Sequence, residues 1–354
     1  MHILFLVPYP HGQAPSQRFR FEQYLKFLQE KGITYDFSAF LDEKTWQILY
    51  KSGHTWQKAI GIMMGFLRRV KSLFLMHRYD YVFIHRETAP LGPPVFEWLI
   101  GKVFRKKIIY DFDDAIWLHN TSASNRIVAQ LKWHHKVKNI CRWSYKISCG
   151  NKYLCDYARP FNQRVILNPT TIDTTGQHNR LKNQRTGKFV IGWTGTHSTL
   201  AYLVPLFPVL EKLHQQYDFQ LNVIANAPPE YPADFIKFIP WKKDAEIDDL
   251  LTFNVGLMPL TDDPWAKGKC GFKALQYMAL GIPALVSPVG VNTEIVEDGV
   301  NGFICTTEDE WYHALEKLIT AAKLRENMGI AGRKKVEAQY SVISNADNFL
   351  RLFS

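Results

Sequence analysis

A chain of 354 residues, 46% hydrophobic and 21% charged, has the composition of a folded globular protein, which excludes a disordered or fibrous one, and the length suits two domains of about 150–180 residues. No apolar run approaches the ~18 residues needed to cross a bilayer, and Cys141, Cys149, Cys155, Cys270 and Cys305 have neither Cys-x-x-Cys pairing nor histidine at zinc spacing, so no disulfide framework and no metal cage is expected. The net charge of +10 is uneven: residues 1–170 carry 25 Lys and Arg against 12 Asp and Glu, while 171–354 carry 18 against 21, which directs any anionic partner to the first half.

The chain opens on a short apolar run without a basic lead or a small-residue cleavage site. This reads as a buried first strand rather than a signal peptide, and a cytoplasmic location is expected. Apolar runs rich in β-branched and aromatic residues follow at 3–7, 81–84, 107–110, 146–149 and 165–167, then at 189–192, 220–224, 235–239, 254–258 and 283–286, separated by longer amphipathic stretches. The alternation predicts two α/β domains with parallel sheets, binding ligands beyond the carboxyl ends of their strands. The polar stretch 174–188 lacks apolar periodicity and marks a linker. Domains are therefore expected at 1–172 and 189–340 with 173–188 between them, and 341–354 as a last helix packing back on the N-terminal domain. Two segments, 58–78 and 126–143, mix apolar residues at helical spacing with Lys, Arg and Trp. They read either as helices lying on an anionic membrane or as domain helices with a basic solvated face. Without a zinc-finger or RNP signature, nucleic acid is not an expected partner.

The densest chemistry follows the run 254–260. The loop Lys267-Gly268-Lys269-Cys270-Gly271-Phe272-Lys273 opens a helix expected over 272–280, whose unpaired N–H groups and positive dipole end suit a diphosphate. Lys267, Lys269 and Lys273 add charge, or are simply solvated loop lysines. Gly281 and Pro283 stop the helix. A second loop, 287–293, leads to a short helix, and Asn301-Gly302 reads as a hairpin before a strand at 303–305.

The phrase ALQYMALGIPALVSPVGVNTEIVEDGVNGFI at 274–304 resembles the donor region of the family 4 (group 1) glycosyltransferases, retaining enzymes of the GT-B fold. VILNPTTID at 165–173 is similar, more weakly, to that family's interdomain phrase. The resemblance implies two Rossmann-like domains facing across a cleft, a UDP- or GDP-linked sugar donor, a glycan or lipid-linked acceptor in polysaccharide biosynthesis, and no required cofactor or metal. It implies donor contacts from Gly271, Phe272, Gln276, Val291, Asn292 and Thr293. The family's glutamate pair is absent: Gln276 stands at the second position, and the first falls on Gly268 or, with a one-residue gap, Lys269. An amide still bonds a ribose hydroxyl, while Lys269 and Lys273 point toward phosphate neutralisation, stabilising charge on the leaving group.

By the same resemblance Gly195, Thr196, His197 and Ser198 approach the donor phosphates, although Thr196 or Ser198 also reads as a helix cap. Asn226 and Trp241 stand where the family seats the base, with Trp241 open to a core reading. In the first half, Asp111, Asp113 and Asp114 repel one another, so a hydroxyl ligand, a cation or a basic neighbour is expected beside them. The resemblance aims Asp113 and Asp114 at the reacting sugar or the acceptor. Arg18, Arg20, Arg86 and Glu87 follow strands and are expected to meet the acceptor or to form surface ion pairs. The competing functions are a nucleotide-sugar epimerase of the same fold and a non-catalytic nucleotide-sugar-binding protein. No GxGxxG follows a strand, which leaves a nicotinamide enzyme unsupported. A peripheral position at the inner face of the cell membrane completes the expectation.

Overall fold

The computed structural model describes residues 1–49, 51, 53–118, 133–185 and 187–354, and the chain divides into two compact units, Met1–Thr170 with Ala346–Ser354, and Thr171–Asn345. The first holds a parallel sheet in the order β2-β1-β3-β4-β5-β6, formed by His2–Val7 (β1), Thr34–Ala39 (β2), Tyr81–His85 (β3), Lys107–Phe112 (β4), Lys146–Cys149 (β5) and Val165–Leu167 (β6). β1, β3 and β4 are buried almost throughout, the reason they read as continuous apolar runs. β2 escaped the sequence reading because it is an edge strand, half-exposed and interrupted by Asp36 and Ser38.

The 20-residue helix Thr55–Phe74 packs on this sheet by its small side, with Gly61, Gly65, Arg69 and Ser72 buried. The buried Arg69 guanidinium donates to the carbonyls of Thr88 (2.6 Å), Val7 (2.7 Å) and Ser38 (3.0 Å), and burial pushes its pKa down to about 9 against the pull of Glu97. A Cβ on Gly65 would lie 2.6 Å from the Phe40 ring. Gly65→Ala gains about 1 kcal/mol of helix propensity, but overpacking costs ~1–3 kcal/mol, so a net loss is expected in the denaturation midpoint. An unchanged midpoint would mean the helix is free to shift.

Ala346–Ser354 completes the first core: Phe349 stacks on Tyr24 with ring centroids 4.4 Å apart, and Phe353 meets Tyr81 at 5.7 Å.

The second unit repeats the design in the order β12-β11-β10-β7-β8-β9, with Val190–Thr194 (β7), Gln220–Ala225 (β8), Ile236–Pro240 (β9), Val255–Met258 (β10), Ala284–Val286 (β11) and Gly302–Ile304 (β12). Two glycines bring side chains onto the sheet: a Cβ on Gly192 would overlap Phe253, and one on Gly256 would overlap Tyr277. The Asn301-Gly302 hairpin is corrected here. β12 runs parallel to β11, and Gly302 is demanded by close strand approach, since a Cβ there would lie 2.0 Å from the Ala284 carbonyl oxygen. The polar stretch after Asp173 lies along the second unit, held by hydrogen bonds instead of an apolar face. Arg333 donates to the carbonyl of Thr174 (2.7 Å), Asn254 Nδ2 donates to Gln184 Oε1 (3.1 Å), and Arg180 pairs with Asp248 (2.5 Å).

Candidate functional site

In the second unit the chain leaves β10 through Asp263, whose side chain caps the short helix Pro264–Lys267 by accepting from Ala266 N–H (2.8 Å). Gly271 then takes the left-handed conformation (φ 69°) that begins the helix Phe272–Ala279. A side chain at 271 would strike Ile295 at 2.1 Å, and one at Gly290 (φ 57°) would lie 2.9 Å from the Lys267 carbonyl oxygen. Glycine at both places therefore lets two loops close on one another. Leu260 N–H donates to Ser287 Oγ (3.0 Å), Asn292 Nδ2 to the Ser287 carbonyl (3.1 Å) and Thr293 Oγ1 to the Gly290 carbonyl (3.4 Å). Val291, Asn292 and Thr293 are thus brought beside Gly271 and Phe272.

Two lysines occupy this double loop. Lys269 Nζ lies 5.1 Å from the Trp265 ring centroid and Lys273 Nζ 4.3 Å from that of Trp193, within cation–π range. Trp193, next to last in β7, is fully buried, its indole N–H without a hydrogen-bond partner among the described residues. Burial first, and the Lys269 charge second, push the Lys273 ammonium down to about 7. Lys267 is paired with Asp262 at 3.0 Å.

The turn after β7 stands close by in the same unit. Thr196 and Thr199 form a capping box, with Thr196 N–H donating to Thr199 Oγ1 (3.0 Å) and Thr196 Oγ1 meeting Ser198 Oγ at 2.9 Å. Gly195 packs on the Trp193 ring, and His197 N–H donates to Asn226 Oδ1 (2.6 Å), which joins the residues after β7 to the one after β8. Gln276 is 1% exposed and faces a carboxylate the sequence reading missed. Glu246 accepts from Gln276 Nε2 (3.5 Å), Trp241 Nε1 (3.4 Å) and Gln177 Nε2 (3.3 Å). Nothing in the local sequence sets Glu246 apart from its acidic neighbours in Glu246–Leu250.

In the first unit the acidic cluster found its basic neighbours. Asp111, buried at the end of β4, accepts from Ser148 Oγ (2.6 Å) and His85 Nδ1 (2.8 Å) and pairs with Arg20. Burial opposes ionisation, but Arg20 and the His85 hydrogen bond overcome it and hold the Asp111 carboxyl far below the usual range. Arg20, expected at an acceptor, is 1% exposed and also bonds the Asn168 carbonyl. Arg18 is buried, its guanidinium 4.9 Å from the Phe19 ring centroid. Arg86 gathers the other aspartates, donating from Nε to Asp113 Oδ1 (2.8 Å) and from Nη2 to Asp114 Oδ2 (2.7 Å). Its backbone is left-handed (φ 60°), a strained state held by hydrogen bonds to the Asp111 carbonyl and from Tyr110 Oη, both 2.7 Å. Strain of this kind concentrates where side chains must be aimed. Glu87 pairs with Lys136 at 2.6 Å. Gln17, also missed, fixes the loop after β1 by bonding both Tyr9 N–H and Tyr9 carbonyl. Among the described residues no group of three or more His, Cys, Asp or Glu is placed to hold a metal ion.

Known structures share this architecture. Sucrose-phosphate synthase from Thermosynechococcus elongatus superposes with a TM-score of 0.71 at 13% identity, over 100% of this chain and 98% of that one. Anabaena Alr3699/HepE in complex with UDP-glucose gives 0.67 at 14% identity, over 100% and 99%. In sequence, the spore coat protein SA of Bacillus subtilis (strain 168) is 24% identical over 123 residues, 34% of this chain and 32% of that protein, so the match spans about a third of the relative's length. The chain has the GT-B fold, and within its second unit residues 232–335 match the family described as glycosyl transferases group 1.

Proposed function

We propose that this protein is a retaining glycosyltransferase of family 4 that moves a sugar from a UDP- or GDP-linked donor to a glycan or lipid-linked acceptor in polysaccharide biosynthesis, at the inner face of a membrane. The observation that carries the reading is the double loop from Lys267 to Thr293, with two lysines at the open end of a parallel sheet, inside the segment that matches the group 1 family. The UDP-glucose complex of Alr3699/HepE supports the choice of donor.

Lys273, Lys269 and the N–H groups opening the helix at Phe272 meet the diphosphate, with Gly195 to Ser198 contributing N–H and hydroxyl donors. Gln276 and Glu246 face the ribose, and Asn226 and Trp241 the base. Asp113 and Asp114, aimed by Arg86, position the sugar or the acceptor, and Arg20 acts beneath them as a buttress. The bond between the anomeric carbon and the diphosphate oxygen breaks. The acceptor oxygen bonds the same face of that carbon, and its proton passes to the departing phosphate.

A panel of UDP- and GDP-sugars should raise the melting temperature for at least one member, and that member should release nucleotide when a glycan or lipid-linked acceptor is added. Absence of any thermal shift across the panel sinks the proposal. Free epimerised sugar nucleotide would point instead to an epimerase, and saturable binding without release to a non-catalytic protein.

A further inference from the structure

The helix Thr55–Phe74 is packed the opposite way round from an ordinary surface helix. Its small and polar side is buried, whereas Trp56, Ile60, Met63, Leu67, Val70 and Phe74 are exposed, Trp56 to 83% and Phe74 to 78%. The spacing of these residues, alternately four and three, places all six on one stripe along the helix. Met64, also exposed, widens it. A second exposed apolar strip lies on the adjoining segment, where Val95, Trp98, Val103 and Phe104 are each at least 41% exposed. The two segments are neighbours, since Phe66 and Phe96 approach to 6.2 Å between ring centroids. A six-residue apolar stripe with a second exposed strip on the neighbouring segment marks a surface that something else covers.

The charge around the face identifies that partner. Lys71 on the helix, Arg78 beyond its end, and Lys102 and Arg105 on the second segment are all exposed. Lys106 ties the two segments together by donating to the Tyr79 carbonyl (2.7 Å). Arg68 is neutralised by Asp42, and of the exposed carboxylates at this end Asp80 faces the chain's N-terminus and Asp36 accepts from Tyr79 Oη (2.6 Å). Aromatic and aliphatic side chains rimmed by long basic ones match a phospholipid surface, where the apolar groups enter the acyl boundary and the cations meet anionic headgroups. A second copy fits less well, because residues 1–170 carry 25 Lys and Arg against 12 Asp and Glu and offer these cations no excess of opposite charge.

We propose that this face docks the protein onto an anionic phospholipid bilayer. The inference rests on the peripheral location given above but not on the transfer chemistry. It is tested by flotation of the full chain with vesicles of phosphatidylcholine alone and of phosphatidylcholine with phosphatidylglycerol. The wild type should float with the anionic vesicles. Ile60→Glu/Leu67→Glu, both at exposed positions, should reduce the bound fraction at least about tenfold, and Lys71→Glu/Lys102→Glu should remove the preference for the anionic lipid. The nucleotide-sugar thermal shift should be the same in the wild type and in the Ile60→Glu/Leu67→Glu variant, which certifies folding and separates docking from donor binding. Failure of the wild type to float, or flotation of a folded stripe variant at the wild-type level, overturns the proposal. So does a lipid-free dimer that the stripe substitutions dissociate, which would make a second copy the occupant.

Discussion

Lys273→Ala is expected to lower nucleotide-sugar turnover about 10²–10³-fold, the loss seen when one preorganised donor to a developing anion is removed. The same residue should make donor binding depend on pH. In the empty site burial and Lys269 hold the Lys273 ammonium near 7, and a bound diphosphate raises that value by stabilising the charged form. Binding is therefore tightest below pH ~7 and weakens as pH rises above it, by up to about tenfold per pH unit, until the raised pKa of the complex is reached. The accompanying proton uptake is measurable by titration calorimetry of a UDP-sugar in two buffers of different ionisation enthalpy. Lys273→Met should abolish both the slope and the uptake. It should also raise the melting temperature of the empty protein, because an ammonium under desolvation is replaced by an apolar chain. A pH-independent affinity in the wild type would remove Lys273 from the diphosphate site.

Asp111→Ala should cost about 3–5 kcal/mol of unfolding free energy, since it leaves the Arg20 guanidinium buried without its counter-charge. Ser148 and His85 bond the same carboxylate, and Asn168 donates in turn to Ser148 Oγ, so the loss propagates through the carboxyl ends of β3, β4 and β5. The double variant Arg20→Met/Asp111→Leu should recover much of the stability, because the desolvation cost disappears with the pair. Denaturant midpoints at constant m distinguish these outcomes. If the single variant unfolds at the wild-type midpoint, the cluster is not what holds the strand ends together. The acid limb follows from the sign of the shift. A carboxyl whose folded pKa is depressed contributes fully above its unfolded pKa of ~3.9, and the contribution is lost as pH falls below that toward the folded value.

What was legible in the sequence was whatever depends on local pattern. The central strands declared themselves because parallel strands covered on both faces are apolar without interruption, and the Lys267 to Thr293 stretch because loop, helix start and glycine stops are short-range signals. β2 was illegible as a half-exposed edge, and Asn301-Gly302 misled because a close strand contact and a hairpin turn demand the same residue. Glu246 had no signal at all, since its meaning arises only when Gln276, Trp241 and Gln177 converge on it from separate places in the chain. Arg86 did stand out as a candidate, but its partners did not, because the two aspartates it joins lie 27 and 28 positions away. The helix Thr55–Phe74 was readable as amphipathic, but which of its faces is buried was not. Gly61 and Gly65 look like helix weaknesses until Thr45 and Phe40 are seen pressed against them.

The first unit is made of two pieces of chain, 1–170 and 346–354, and this orders events during synthesis. Tyr24, Tyr81 and Phe83 wait for Phe349 and Phe353, which emerge from the ribosome only after the entire second unit has been made. The unit begun first is therefore finished last, and until then its aromatic core is open to solvent and to chaperones.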